Sequence, residues 1–285
     1  MPGTILPAHV TLCIGIGAQR SGTSWLGTYF KRHPSIYMSP IKELHYFDAR
    51  WTPELTGRYD ERFLARLKAL LRDVRIEEVR KGRKWDHAFH IARRLEMLHG
   101  GHQRYLEFFA ADVGDRPVAA EITPSYGVLG AEHFREIRAL HPRVKLVFLM
   151  RNPVDRAWSL LRHRTRRKGF DLARRFEQTL ASDRAARRSD YVHTLAALDA
   201  AVPAEDVFIG FYETLFTRET MERLCGFLAI PYHPAPFGKV VGRAVEKPMT
   251  ADQRAQLRKL LRPIYADAAQ RFGDRLPDAW RADMG

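Results

Sequence analysis

The sequence predicts an α/β fold with a doubly wound, mainly five-stranded parallel sheet. Three observations carry this: five short runs of nearly continuous apolar character, helical patterns of ordinary length between them, and a glycine turn closing the first run. Residues 12–17 (LCIGIG) read as the first strand, and residues 23–33 (TSWLGTYFKRH) as a helix carrying Trp25, Leu26, Tyr29 and Phe30 on one face. The second strand is read at 35–38 (SIYM), the third at 117–122 (PVAAEI), the fourth at 144–150 (VKLVFLM) and the fifth at 206–212 (DVFIGFY). Residues 131–140, 154–167, 190–200 and 214–228 have helical spacing suited to crossover connections, and a last helix begins at Met249-Thr250-Ala251-Asp252. Residues 49–116 contain two basic, partly amphipathic stretches and few turn signals. They read as a helical insertion within one domain spanning 1–285. In such a sheet, ligands gather at the C-terminal ends of the strands.

Composition narrows the function classes. An excess of 47 Lys and Arg over 33 Asp and Glu gives a formal charge of +14, which favours anionic partners or simply a solvated basic surface. Nucleic acid is disfavoured because no helix-turn-helix, RNP or zinc-finger pattern is present. Cys13 lies in an apolar strand-like run and Cys225 in a helix-like run, and both read as buried thiols rather than a disulfide framework. No run approaches the length of a membrane span and no secretory leader pattern is evident, so the expectation is a cytoplasmic protein. The spacings His87-x-x-His90 and His99-x-x-His102 lack accompanying carboxylates or cysteines, and no metal is expected.

Chemistry concentrates in three segments. GAQRSGTS (17–24) is a glycine turn between a buried strand and a helix, where backbone N–H groups and the helix dipole favour an anion. It nearly matches a nucleotide P-loop, yet Thr23 stands where that motif places lysine, and Arg20 supplies a cation within the loop. Its plain alternative is an ordinary strand-to-helix turn. FLMRNPVDRAWSLLRH (148–163) ends a strand at Arg151, with Asn152 able to cap a helix whose first residue is Pro153. An arginine fork at that helix start suits a phosphate monoester, with Ser159 as a further donor. The alternatives are an Arg151–Asp155 ion pair and a serine bonded to its own backbone. KELHYFD (42–48) places Glu43 in a loop beyond the second strand, where a carboxylate suits general-base work. Taken singly, Glu43 reads equally as a surface carboxylate and His45 as a structural histidine.

Together and in this order, GAQRSGTSWL (17–26), KELHYFD and FLMRNPVDRAWSLLRH resemble the sulfotransferases that use 3′-phosphoadenosine-5′-phosphosulfate (PAPS), especially their heparan-sulfate and bacterial branch. EITPSY (121–126), the run near Tyr191, and Gly242-Arg243 are weaker matches, and residues 49–116 are largely unmatched. The resemblance implies a P-loop-like three-layer fold and transfer of a sulfuryl group, without metal, from PAPS to a hydroxyl or amine, leaving adenosine 3′,5′-bisphosphate (PAP). It implies that Arg20, Ser21, Gly22, Thr23 and Ser24 hold the 5′-phosphosulfate, that Arg151 and Ser159 hold the 3′-phosphate with Gly242 and Arg243 closing over it, and that Tyr191 is a further cofactor-binding residue. Glu43 is then the base, with Lys42 and His45 beside it and Arg20 stabilising charge.

Two departures stand out. Arg20 replaces the family's loop lysine, and Ile122 stands where many heparan-type members carry lysine, which weakens the case for a polysaccharide acceptor. A small-molecule, lipid or carbohydrate acceptor is expected, with Trp51, Trp85, His87 and Arg164 as candidate walls, although aromatic residues there are more often core. The competing reading, a P-loop kinase or NTPase, is permitted by the loop spacing but disfavoured by Thr23 and the lack of a clear Walker B acid.

Overall fold

Five parallel strands form one sheet in the order β2-β3-β1-β4-β5. The strands are β1 (Thr11–Gly17), β2 (Ile36–Met38), β3 (Val118–Ile122), β4 (Val144–Met150) and β5 (Val207–Phe211). All four pairings are parallel, with Cys13 opposite both Ala120 and Lys145. The computed structural model describes residues 5–56, 59–72, 83–164, 176, 178, 189–238 and 248–284.

The near-continuous apolar character of the central strands has its cause in three-layer packing. Along β1, Leu12, Ile14 and Ile16 enter one core while Cys13 enters the other. β4 divides in the same way, sending Leu146, Phe148 and Met150 to one face and Val147 and Leu149 to the opposite face. Because neither face meets water, alternation has no polar partner to select. Burial pushes the Cys13 thiol up to about 12.

On one face lie α1 (Thr23–Arg32) and α9 (Arg218–Phe227). Trp25, Leu26, Tyr29 and Phe30 are the buried stripe of α1, as their spacing predicts. The other face carries α6 (Ala131–Ala139), α7 (Pro153–Arg164), α8 (Tyr191–Asp199) and α10 (Ala251–Phe272). The short α11 (Asp278–Arg281) adds the fully buried Trp280. The helix expected from 214 begins instead at Arg218. Residues before it form a turn, and Thr217 caps the helix by accepting from the Thr220 N–H. Thr250 caps α10 in a reciprocal box with Gln253.

Between β2 and β3 the described chain is helical: α2 (Tyr46–Trp51), α3 (Pro53–Thr56), α4 (Tyr59–Arg72) and α5 (Arg83–Ala110), the last broken at Gly101. Ile91, Met97, Tyr105 and Phe109 of α5 join the core that contains β1 and β4. The strand order brings the loops after β1, β2, β3 and β4 to one edge of the sheet, at the strand C-terminal ends.

Candidate functional site

The loop after β1 forms an anion cradle. Gly22 (φ 88°) is the N-cap position of α1, no side chain caps the helix, and its first turn contains no acidic residue. A Cβ at Gly22 would lie 2.5 Å from Leu215 Cδ2, so both the left-handed backbone and the close approach require glycine. Ser21 is fully buried and Thr23 nearly so. Arg20 also has positive φ (71°), and its Nε donates to Ser159 Oγ at 3.1 Å.

The loop after β4 lies against the first. Arg151 Nη1 donates to the Arg20 carbonyl at 3.3 Å, and the guanidinium lies over the Tyr212 ring at 4.3 Å. Tyr191 Oη donates to the Arg151 carbonyl at 3.0 Å and faces its N–H at 3.3 Å. The alternative partner of Arg151 is engaged elsewhere: Asp155 pairs with Arg254 at 3.0 Å. Asn152 caps α7 through the Val154 and Asp155 N–H groups, while its amide donates to the Ala279 carbonyl and to Asp283 at 2.8 Å each. Glu213 accepts from the Asn152 N–H at 2.8 Å and from Trp280 Nε1 at 3.1 Å. Arg20, Ser21, Arg151, Ser159 and Tyr191 are therefore gathered where the ends of two adjacent strands meet. Gly242 and Arg243, and the side chains of Trp85 and Arg164, lie outside the described residues.

Across the cradle stands a row of ionisable groups. His45 Nε2 is 3.4 Å from a Glu43 carboxylate oxygen, its Nδ1 is 2.8 Å from Asp48 Oδ2, and Ser125 Oγ bonds to Asp48 and lies 3.1 Å from the same Nδ1. Exposure separates their roles: the Glu43 side chain is 33% exposed, against 5% for His45 and none for Asp48. Only the outer carboxylate of this row faces the cleft. Burial alone would raise the Glu43 carboxyl, but the His45 bond and charge, with Lys42, outweigh it and hold it below its ordinary value. For His45, burial opposes charge while Asp48 and Glu43 prevail, raising its pKa. Tyr59 stacks on the imidazole, planes 8° apart. Lys42 Nζ donates to Ser24 Oγ at 3.2 Å, joining this loop to the start of α1.

Glu43 (φ 56°) and His45 (φ 50°) are both left-handed without being glycine, a conformation kept only when surroundings hold it. The clamp is Arg94 of α5, fully buried, whose Nε and Nη2 donate to the Leu44 and His45 carbonyls at 2.8 Å each. Its Nη1 pairs with Asp60 at 2.7 Å. Behind the loop, Tyr126 Oη accepts from the Tyr46 N–H at 3.0 Å. The fully buried Glu121, pushed up to about 7 by burial, accepts from Tyr105 and Thr123 at 2.7 Å each.

Asp48, Ser125, Arg94 and Glu121 extend the site beyond the residues sequence reasoning singled out. Asp48 and Ser125 lie inside motifs already recognised in the sequence. Arg94 carries no local signal.

A cavity of about 180 Å³ opens beside Glu43, lined chiefly by Thr23, Ser24 and Gly27 of α1, Met38 of β2, Lys42, and Ile122 at the end of β3. Trp51, expected as an acceptor wall, packs instead on Phe47 and His133, at 5.3 and 4.9 Å between ring centroids. His87, on α5, does not line the cavity.

A parallel sheet with a glycine turn opening its first helix places the chain in the P-loop-like three-layer α/β class. Within that class, a profile described as the sulfotransferase family matches residues 13–234, and the chain belongs to that family. The crystal structure of a sulfotransferase from Alicyclobacillus acidocaldarius superposes with a TM-score of 0.64 at 22% identity, over 96% of this chain and 100% of that one. The sulfotransferase domain of the Synechococcus PCC 7002 olefin synthase gives 0.50 at 14% identity, over 91% and 97%. At these identities the likeness is one of fold. No curated protein sequence matches the chain. Among the described residues, no helix is long and apolar enough to cross a membrane.

Proposed function

We propose that this sulfotransferase transfers a sulfuryl group from PAPS to a hydroxyl or amine, with Glu43 as the base. The observation that carries the reading is the placement of the Glu43 carboxylate in one cavity with an uncapped helix start, with two arginines gathered beside that start. When bound, PAPS supplies a sulfuryl group joined to a phosphate, and PAP departs after transfer.

The residues present fit such a donor. The turn Ser21–Ser24 offers backbone N–H groups and hydroxyls to the 5′ end. Arg151 and Ser159, with Arg20 between them and Tyr191 fixing the Arg151 backbone, offer a basic pocket to the 3′-phosphate. Gly242 and Arg243 are proposed as further contacts from before the last helix.

Glu43 accepts the proton of the acceptor as that group bonds to sulfur. His45, bridging Glu43 and Asp48, keeps the carboxylate ionised and oriented. Lys42, tied to Ser24, and Arg20 place fixed positive charge near the oxygens that gain negative charge. Arginine does not give up its proton near neutral pH, so Arg20 acts by charge alone. The cations and N–H groups fill the role magnesium has in a nucleotide triphosphatase. The acceptor is a small molecule, lipid or carbohydrate, and the protein works in the cytoplasm as one domain.

Calorimetric titration tests the donor assignment. Micromolar binding of PAP without magnesium is the expected result. Tighter binding of magnesium-ATP than of PAP would refute it in favour of a kinase or NTPase.

A further inference from the structure

We propose that the acceptor enters this site through a compact apolar body about one ring in size, and that Gly27 and Ile122 select for it. The inference rests on the sulfotransferase reading and adds to it the class of acceptor.

The cavity beside Glu43 lies between α1 and the β2–β3 edge of the sheet. Its lining from α1 is one helical face, Thr23, Ser24, Gly27, Thr28 and Lys31, opposite the buried stripe of Trp25, Leu26, Tyr29 and Phe30. One end therefore abuts the anion cradle at Thr23 and Ser24, and one wall is the Glu43 loop. Its floor is Gly27, Met38 and Ile122, with charge confined to Lys31, Lys42 and Glu43. An apolar cavity of about 150 Å³ takes a benzene-sized guest. At about 180 Å³ this one, open on one side, holds a single ring with a few further atoms.

Gly27 has no structural need to be glycine. It lies inside α1, where glycine weakens a helix relative to alanine, and it does not have the positive φ that would require it. A Cβ there would make ordinary contacts, 3.7 Å to Ile122 Cδ1 and 3.8 Å to Met38 Cε. What glycine provides is open space directly in front of Ile122. A longer side chain would occupy the cavity itself. Ile122 completes this apolar surface at a position where a cation would instead attract polyanionic glycans, so the floor suits a body that sheds water on binding.

Initial rates with PAPS across a matched panel decide the matter. The one-ring acceptors, here apolar rings, are 4-methylphenol, cyclohexylmethanol and 4-methylaniline, set against the polar pyranose of N-acetylglucosamine and a chondroitin oligosaccharide. The expectation is kcat/KM at least about tenfold higher for a one-ring acceptor than for either sugar, the discrimination a few apolar groups provide. Gly27→Leu is expected to raise the KM for that acceptor by about tenfold or more. Gly27→Ala, whose added methyl makes only ordinary contacts, is expected to raise it less than Gly27→Leu does, and both variants should bind PAP as the wild type does. Preference for a sugar, no turnover of any one-ring acceptor by a protein that binds PAP, or an unchanged KM in Gly27→Leu would each overturn the inference. Failure of the wild type to bind PAP would instead remove the donor assignment beneath it.

Discussion

Arg94→Met should be the most informative single substitution, because Arg94 touches no proposed substrate and yet holds the loop that presents Glu43. The change removes two charged hydrogen bonds of 2.8 Å, to the Leu44 and His45 carbonyls, and the 2.7 Å pair with Asp60. A charged hydrogen bond contributes about 1.5 to 3 kcal/mol. The Asp60 side chain is 33% exposed, so screening limits its share to about 1 kcal/mol or less. Because one guanidinium makes all three contacts, the terms do not simply add, and the expected loss is about 3 to 5 kcal/mol. That is a large part of the about 5 to 15 kcal/mol typical of a domain. Urea unfolding followed by tryptophan fluorescence reads it as a lower midpoint at unchanged slope. Arg94→Lys keeps a point charge for Asp60 but loses the fork, and should fall between the two. In whatever fraction remains folded, kcat should drop while PAP affinity holds, since the cradle is built from other loops. A loss below about 1 kcal/mol with normal turnover would mean that the left-handed backbone at Glu43 and His45 needs no clamp, and would refute the reasoning.

Other perturbations separate the two halves of the site. Glu43→Gln should abolish turnover while PAP affinity, measured by calorimetry, stays near wild type, because the carboxylate serves the acceptor. Arg151→Ala should weaken PAP binding by about 1.5 to 3 kcal/mol, roughly ten- to over a hundred-fold in Kd by the same titration. His45→Gln should move the acid limb of the pH–rate profile upward. Glu43 lies below its ordinary 4.5 because His45 and Lys42 outweigh burial, and without the imidazole burial is left opposed mainly by Lys42. The same variant should alter the pH dependence of stability: His45 has a raised folded pKa, so its contribution is full below about 6.5 and is lost as pH rises through the folded value. Urea midpoints compared on the two sides of that range would show it.

The sheet was almost wholly legible, since parallel strands buried on two faces leave unbroken apolar runs, and β4 was read to the residue. The loops after β1 and β4 were legible for a related reason, since a glycine turn and a capping asparagine are local features, whereas the loop after β2 was recognised only through the resemblance of KELHYFD to a family motif. The start of α9 was misread because the apolar residues Leu215 and Phe216 continue the helical pattern backwards past its Thr217 cap. Arg94 was illegible because its meaning lies in carbonyls 49 and 50 residues away, in a stretch of many similar arginines. Trp51 read either as a binding wall or, more often for an aromatic residue, as core, and it belongs to the core through stacking with Phe47 and His133. Asp48 and Ser125 fall between these cases: both were within recognised motifs, but only three-dimensional placement brings them together, bonded to each other, at one imidazole nitrogen.

The hold of residues 279 and 283 on Asn152 has a consequence for biosynthesis. A ribosome delivers Arg151 and its helix more than a hundred residues before it delivers the Ala279 carbonyl and the Asp283 carboxylate that fix the capping amide. Tyr265, whose hydroxyl donates to the capping oxygen of Asn152, also arrives late. A growing chain can therefore assemble its sheet while the arginine-bearing pocket is still unfinished, and competence to hold a bisphosphate should appear abruptly, only after the last helices have been released and docked.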